Sequence, residues 1–206
     1  MKIQYISQGN TIQQQLNNIN SVLDAGCNWI QLRYKGVPEA EVLKLALLAK
    51  KVIEQYNCRF IINDYPKIVI ETDADGIHLG LSDMPIEQAR NIIGSDKIYG
   101  GTANTLEDVL QRHKEQCDYV GLGPFRFTAT KEKLSPVLGL EGYTKIMDKL
   151  KARQINIPVY AIGGIEQQDI QEILKTGIYG VAMSGLITRH PQKKELLIQL
   201  YSLCSH

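Results

Sequence analysis

Short apolar runs alternate with helix-spaced apolar positions along the whole chain. Ile3–Ile6 predicts a first strand, and Ile12, Leu16, Ile19 and Leu23 then recur at helical spacing until Gly26 stops the helix. Trp29–Leu32 predicts a second strand. Pro38 opens a second helix with Val42, Leu45, Ala46, Ala49 and Ile53 on one face. Arg59–Ile62 and Gly76–Leu79 read as strands three and four, followed by helices at Pro66–Glu71 and Pro85–Ile93. Ile98–Gly101 is a fifth strand, and Thr105-Leu106-Glu107-Asp108 forms a capping box for the helix after it. Asp118–Gly121, Pro158–Ile162 and Tyr179–Met183 complete the strands. Helices follow at Glu141–Lys151 and Glu166–Leu174, and a last one carries Leu196, Leu197, Leu200 and Leu203.

Eight βα units without a linker or composition break predict an α/β chain built as a single (β/α)8 TIM barrel, one domain over residues 1–206. A doubly wound open sheet is the alternative. In a barrel, reactive groups belong at the C-terminal ends of the strands.

Composition narrows the partners. A formal net charge of +1 over 206 residues gives no electrostatic footprint for a nucleic-acid or membrane partner. No apolar run approaches the ~20 residues of a membrane span, and MKIQYISQGNT lacks the apolar core of a signal peptide. Cys27, Cys58, Cys117 and Cys204 are widely spaced, without a CxxC pair. They are expected to be buried thiols in a reducing cytoplasm, forming neither a zinc site nor a disulfide frame. The expected partners are therefore small molecules, and a homo-oligomer is compatible with this composition.

The strand ends carry the chemistry. After the second strand, Gln31, Arg33 and Lys35 fall on one face of an extended chain and would point together toward the barrel mouth as an anion site. After the third comes Asn63-Asp64, which either holds a hard cation or caps the helix at Pro66. Asp83 after the fourth has the same two readings. Two carboxylates on neighbouring strands, facing an Arg/Lys cluster, favour magnesium. His78 falls inside the strand pattern and reads as a hydrogen-bonded core histidine. Gly100 and Gly101 permit close backbone approach beside the Thr102 hydroxyl. Gly163-Gly164 and Ser184-Gly185, at the ends of strands seven and eight, read as a phosphate cup.

Asp118–Gly139 opens as the sixth strand and then runs on as a long loop with no helical or strand period. It holds Thr128, Thr130 and Lys131, two hydroxyls and an ammonium suited to an anion, with Pro124 and Gly139 bracketing an ordered lid.

These segments together resemble the thiamine phosphate synthase family over nearly the whole chain. The resemblance rests on Gln31-Leu32-Arg33-Tyr34-Lys35, Ile61-Ile62-Asn63-Asp64, Asp75-Gly76-Ile77-His78-Leu79-Gly80 with Asp83, Asp118-Tyr119-Val120-Gly121, Gly123-Pro124, Thr128-Ala129-Thr130-Lys131 and Ala161-Ile162-Gly163-Gly164-Ile165. It implies an Mg2+-dependent coupling of a hydroxymethylpyrimidine diphosphate to a thiazole phosphate. It sets the pyrimidine near Gln31, the diphosphate against Arg33, Lys35, Asn63, Thr102 and Lys131, and Mg2+ on Asp64 and Asp83. Thr128, Thr130, Gly164 and Ser184 would face the thiazole and its phosphate.

The chain departs from the family pattern at Leu81, commonly glutamine, Thr102, usually serine, and Asn104, usually histidine. The related thiazole tautomerases use a histidine near that last position as acid/base, and an amide cannot shuttle a proton at neutral pH. A tautomerase of the same fold and a non-catalytic binder of thiamine precursors are the alternative functions.

Overall fold

A computed structural model of the chain describes residues 1–127 and 136–205. Eight parallel strands close in sequence order, β1 to β8, with β1 pairing β8: β1 Ile3–Ile6, β2 Trp29–Leu32, β3 Arg59–Asn63, β4 Gly76–Leu79, β5 Ile98–Ala103, β6 Tyr119–Leu122, β7 Val159–Ile162 and β8 Gly180–Met183. Around them run α1 Ile12–Asp24, α2 Glu39–Ile53, α3 Pro66–Thr72, α4 Ile86–Ile93, α5 Leu106–Lys114, α6 Gly139–Ala152, α7 Ile170–Lys175, α8 Gly185–Arg189 and α9 Lys193–Leu203. The barrel is the expected architecture, and it excludes the open sheet. No helix among the described residues is long and apolar enough to cross a membrane.

The alternation along each strand explains the closure. Ile3, Ile30, Leu32, Phe60, Ile62, Ile77, Leu79, Val120, Val159 and Val181 pack outward with the helices into one large core. The opposite faces of the same strands carry Ile6, Trp29, Ile61, Tyr119, Tyr160 and Ala182, which form a second, smaller cluster. Trp29 meets Tyr119 and Tyr160 edge-on, both at 5.0 Å between centroids. On the same strand faces, interleaved with this cluster, lie the polar side chains of Gln4, Gln31, Asn63, His78 and Thr102. The barrel interior is therefore part apolar and part hydrogen-bonded.

Local signals fix several boundaries. Thr105 Oγ1 accepts from Asp108 N at 3.1 Å and Asp108 Oδ2 accepts from Thr105 N at 2.9 Å, the expected capping box. The predicted Glu166–Leu174 helix instead begins as a 3-10 turn over Gln167–Asp169. Asp169 accepts from Glu166 N and also pairs with Arg126, and α7 starts only at Ile170. Strands β3 and β5 run further toward the mouth than the apolar pattern indicates, to Asn63 and Ala103. Their last residues are held by parallel partners whatever their polarity. The short helix α8 follows β8 with no apolar period long enough to announce it.

The glycines of β5 do not open the backbone to a ligand, as the sequence suggests. A Cβ on Gly100 would lie 2.2 Å from Tyr119 Cζ, and one on Gly101 would lie 2.4 Å from Arg112 Cδ. The space belongs to those two side chains. Gly100→Ala is expected to overpack the interior and destabilise the protein by about 1–3 kcal/mol, as read by urea unfolding. An unchanged midpoint would show that Tyr119 has room to move.

Candidate active site

The ends of β2, β3 and β4 bring together an arginine, a lysine and two aspartates. Lys35 Nζ lies 2.9 Å from Asp64 Oδ2. Arg33 is mostly buried, which pushes its guanidinium pKa down, while the charges of Asp64 and Asp83 push it back up. The expected pleat does not gather them. Strand β2 stops at Leu32, and Gln31 is buried in the interior with its Nε2 3.4 Å from Gln4 Oε1. Arg33 and Lys35 are placed by the loop beyond the strand. Ser7 Oγ accepts from Arg33 N at 3.0 Å, and Gln15 Nε2 donates to Arg33 O at 3.2 Å.

Neither aspartate caps a helix. The residues preceding α3 and α4 are Tyr65 and Pro85, and neither helix has a side-chain cap. Asp64 instead continues the β3–β4 ladder, its N–H donating to His78 O at 3.0 Å, with a left-handed φ of 71°. A non-glycine residue in that region is uncommon, and aspartate is among those that tolerate it. Asp83 closes a turn back onto β4: its Oδ2 accepts from Gly80 N at 2.6 Å. A Cβ on Gly80 would lie 2.5 Å from that oxygen.

The two carboxyl groups titrate as a pair. Burial pushes Asp64 up to about 6, the neighbouring Asp83 adds to this, and Lys35 opposes it. Burial works against the Asp83 charge too. The hydrogen bond with Asp64, the Gly80 N–H, Lys35 and His78 nonetheless hold Asp83 below the usual carboxylate range. Asp64 Oδ1 is buried without a hydrogen-bond partner. With both groups ionised neither can donate to the other, so a shared proton or a hard cation satisfies that oxygen. Among the described residues no group of three or more His, Cys, Asp or Glu comes together. A cation here would have two carboxylates and take its other oxygens from water or a bound anion, which suits Mg2+.

Of the other predicted residues, Asn63 is buried at the end of β3, and Thr102 lies near the end of β5 with its Oγ1 3.0 Å from His78 Nε2. His78 is the expected interior histidine, its Nδ1 also 3.1 Å from Tyr119 Oη. Asn104 Nδ2 donates to Gly123 O, bracing the ends of β5 and β6. Leu81 is half exposed. Gly163 and Gly164 adopt φ of 94° and 68° after β7, beside Ser184 after β8, whose Oγ lies 3.4 Å from Gln8 Oε1. Thr128, Thr130 and Lys131 lie outside the described residues.

Sequence reading missed two arginines. Arg126 Nη1 donates to Gly164 O at 3.0 Å and its guanidinium grips Asp169, fastening the segment after β6 to the turn after β7. Arg112 is 5% exposed, and its Nε donates to Thr102 O and its Nη2 to Gly80 O, at 3.1 and 2.9 Å. It locks the ends of β4 and β5 at the edge of the site.

A family model described as thiamine monophosphate synthase matches residues 4–187. The chain belongs to the thiamine monophosphate synthase family. It is an enzyme of that family, a transferase that forms thiamine phosphate from small-molecule substrates. The thiamine-phosphate synthase of Flavobacterium psychrophilum is 55% identical over 199 residues, 97% of both chains. That of Flavobacterium johnsoniae is 55% identical, over 97% of this chain and 94% of the other. The solved structure of thiamine phosphate pyrophosphorylase from Pyrococcus furiosus superposes with a TM-score of 0.84 at 29% identity, covering 99% of this chain and 95% of that one.

Proposed function

We propose that the enzyme couples 4-amino-2-methyl-5-hydroxymethylpyrimidine diphosphate to 4-methyl-5-(2-phosphooxyethyl)thiazole, releasing pyrophosphate through a dissociative step. The observation that carries this reading is the gathering of Arg33, Lys35, Asn63, Asp64 and Asp83 at three adjacent strand ends in a chain of this family. Arg33 and Lys35 sit where two fixed cations can meet the diphosphate, with Thr102 beside them. Negative charge grows on that group as the carbon–oxygen bond breaks, so preorganised cations favour the transition state over the ground state. Gln31 orients the pyrimidine from the interior. Gly164 and Ser184 hold the thiazole phosphate, and positioning the thiazole nitrogen near the electron-poor carbon supplies much of the rate. Lys131, Thr128 and Thr130 join these roles on sequence grounds.

Asp64 and Asp83 would hold Mg2+, which when bound neutralises charge on the departing pyrophosphate. Lys35 then exchanges its pairing with Asp64 for the diphosphate. The reaction needs no protein nucleophile. Asn104, committed to the Gly123 carbonyl, gives no support to the tautomerase reading. The chain works as one barrel domain over residues 1–206, and a cytoplasmic location accords with its four free thiols.

The assay is direct. Purified protein with both precursors and Mg2+ should yield thiamine phosphate and pyrophosphate in equal amounts. Absence of thiamine phosphate would reject the proposal.

The aspartate pair also sets a pH dependence. Because Asp64 is pushed up to about 6, the pair carries a proton below that pH, and Mg2+ must displace it. Calorimetry in the presence of pyrophosphate should show Mg2+ affinity falling by up to about tenfold per unit below pH 6, with proton release. Near pH 8 it should be flat. Equal affinity at pH 5 and pH 8 would exclude these carboxylates as ligands.

A further inference from the structure

Gln15 is a polar residue on the buried face of α1, beside Ile19, Val22 and Leu23, and only 1% of it is exposed. Such a placement is costly unless the amide is hydrogen-bonded. Its Nε2 donates to Gly9 O and to Arg33 O, both at 3.2 Å. Backbone carbonyls only accept, so both amide hydrogens are spent here and the amide cannot be turned over. Its Oε1 is buried without a hydrogen-bond partner, so the side chain serves through its two hydrogens. Ser7, buried just after β1, completes the hold. Arg33 N donates to Ser7 Oγ at 3.0 Å, and Ser7 N donates to Gln31 O at 2.9 Å. Arg33 lies one residue past the end of β2, yet both of its backbone groups are fixed by side chains. The loop after β1 is itself tied down. Asn18 Nδ2 donates to Gln8 O at 2.7 Å and Tyr34 Oη donates to Asn10 O at 3.3 Å. The consecutive carbonyls of Gln8, Gly9 and Asn10 are thus each held by a side chain.

We infer that Gln15 and Ser7 are positioning residues that set the Arg33 guanidinium for the substrate diphosphate, by holding the Arg33 backbone where the strand has ended. The inference rests on the functional reading above. A cation on a loose loop would have to be ordered each time the anion bound, at a cost in conformational entropy. Held beforehand, it meets the diphosphate without reorganising and keeps its place as charge grows on the leaving group. The guanidinium is mostly buried and faces the charges of Asp64 and Asp83, so a shift of its backbone moves a cation within a crowded site. Gln15 acts on it from a helix, through a peptide group.

Calorimetry of inorganic pyrophosphate with Mg2+ tests this. Gln15→Met keeps the length of the side chain and removes both donors. It should weaken pyrophosphate binding about three- to tenfold, the worth of one ordinary hydrogen bond, and leave binding of the thiazole phosphate unchanged. In an Arg33→Met background, where Lys35 still meets the anion, the same substitution should cost nothing further. Ser7→Ala is a smaller change, and it tests the hold even where Gln15→Met folds poorly. It too should weaken pyrophosphate binding in the wild-type background and have no effect in the Arg33→Met background. Equal additional losses in both backgrounds, or a loss shared by both ligands, would reduce Gln15 and Ser7 to packing residues and overturn the inference. Unchanged pyrophosphate affinity in both variants would do the same. None of these readouts requires turnover. Losses that depend on Arg33, in a protein that forms no thiamine phosphate, would refute the functional reading and keep the inference. Thiamine phosphate formation with losses independent of Arg33 would do the reverse.

Discussion

Asp64→Asn should lower thiamine phosphate formation on the order of 100-fold, the scale of losing one preorganised charge-stabilising group, and Asp83→Asn should do the same. The two positions lie 19 residues apart in sequence and meet only because β3 and β4 are neighbours. Asparagine keeps the size of each side chain and removes its charge. At position 64 it also leaves Lys35 without its partner at 2.9 Å. The double variant should be little worse than the poorer single one, since both carboxylates act through one cation. Melting temperature should hold or rise for Asp64→Asn, whose carboxyl is pushed up by burial, and should fall for Asp83→Asn, whose charge the folded state stabilises. Losses that multiply in the double variant, or full activity in chelator, would remove the shared cation from the mechanism.

The barrel was legible because its signals are periodic. Strand runs such as Ile3–Ile6 and the α2 stripe of Val42, Leu45, Ala46, Ala49 and Ile53 state their burial in their spacing. The strand ends were legible as a set, since charged residues that follow apolar runs have few other uses in a closed barrel. Their geometry was not. An aspartate shortly before a helix-opening proline fits a cap and a metal ligand equally well. Only the ladder bond from Asp64 to His78 and the closed turn at Gly80 separate the readings. Gln31, Arg33 and Lys35 looked collinear because the extended pattern was carried past Leu32, where the strand stops. Gln4 gave no signal at all. It is a polar residue inside an apolar run, and its partner Tyr119 lies 115 residues away.

Arg112 makes the same point energetically, and its replacement should have the largest effect on stability. In sequence it is one of three basic residues in the last turn of α5, where a solvated dipole partner is the ordinary expectation. In the fold it is almost fully buried. Its guanidinium donates to Thr102 O, to Gly80 O and, at 2.8 Å, to Glu115 Oε2, whose side chain is itself mostly covered. Arg112→Met keeps most of the stem volume and strands two carbonyls and a carboxylate in a place water reaches poorly. Removing one partner of a buried pair costs about 3–5 kcal/mol. For a chain of this size that is roughly 6–20 °C in melting temperature. Arg112→Lys should recover only part of it, because one ammonium cannot span three acceptors set by a planar fork. Glu115→Gln in the Arg112→Met background should regain stability, since it removes the unpaired charge. The Met variant should also bind pyrophosphate more weakly, because Thr102 and Gly80 carry the hydroxyl and the Asp83 turn at the mouth of the site. A Met variant within ~0.5 kcal/mol of wild type, the range of an ordinary surface substitution, would show that Arg112 is solvated and that the ends of β4 and β5 hold without it.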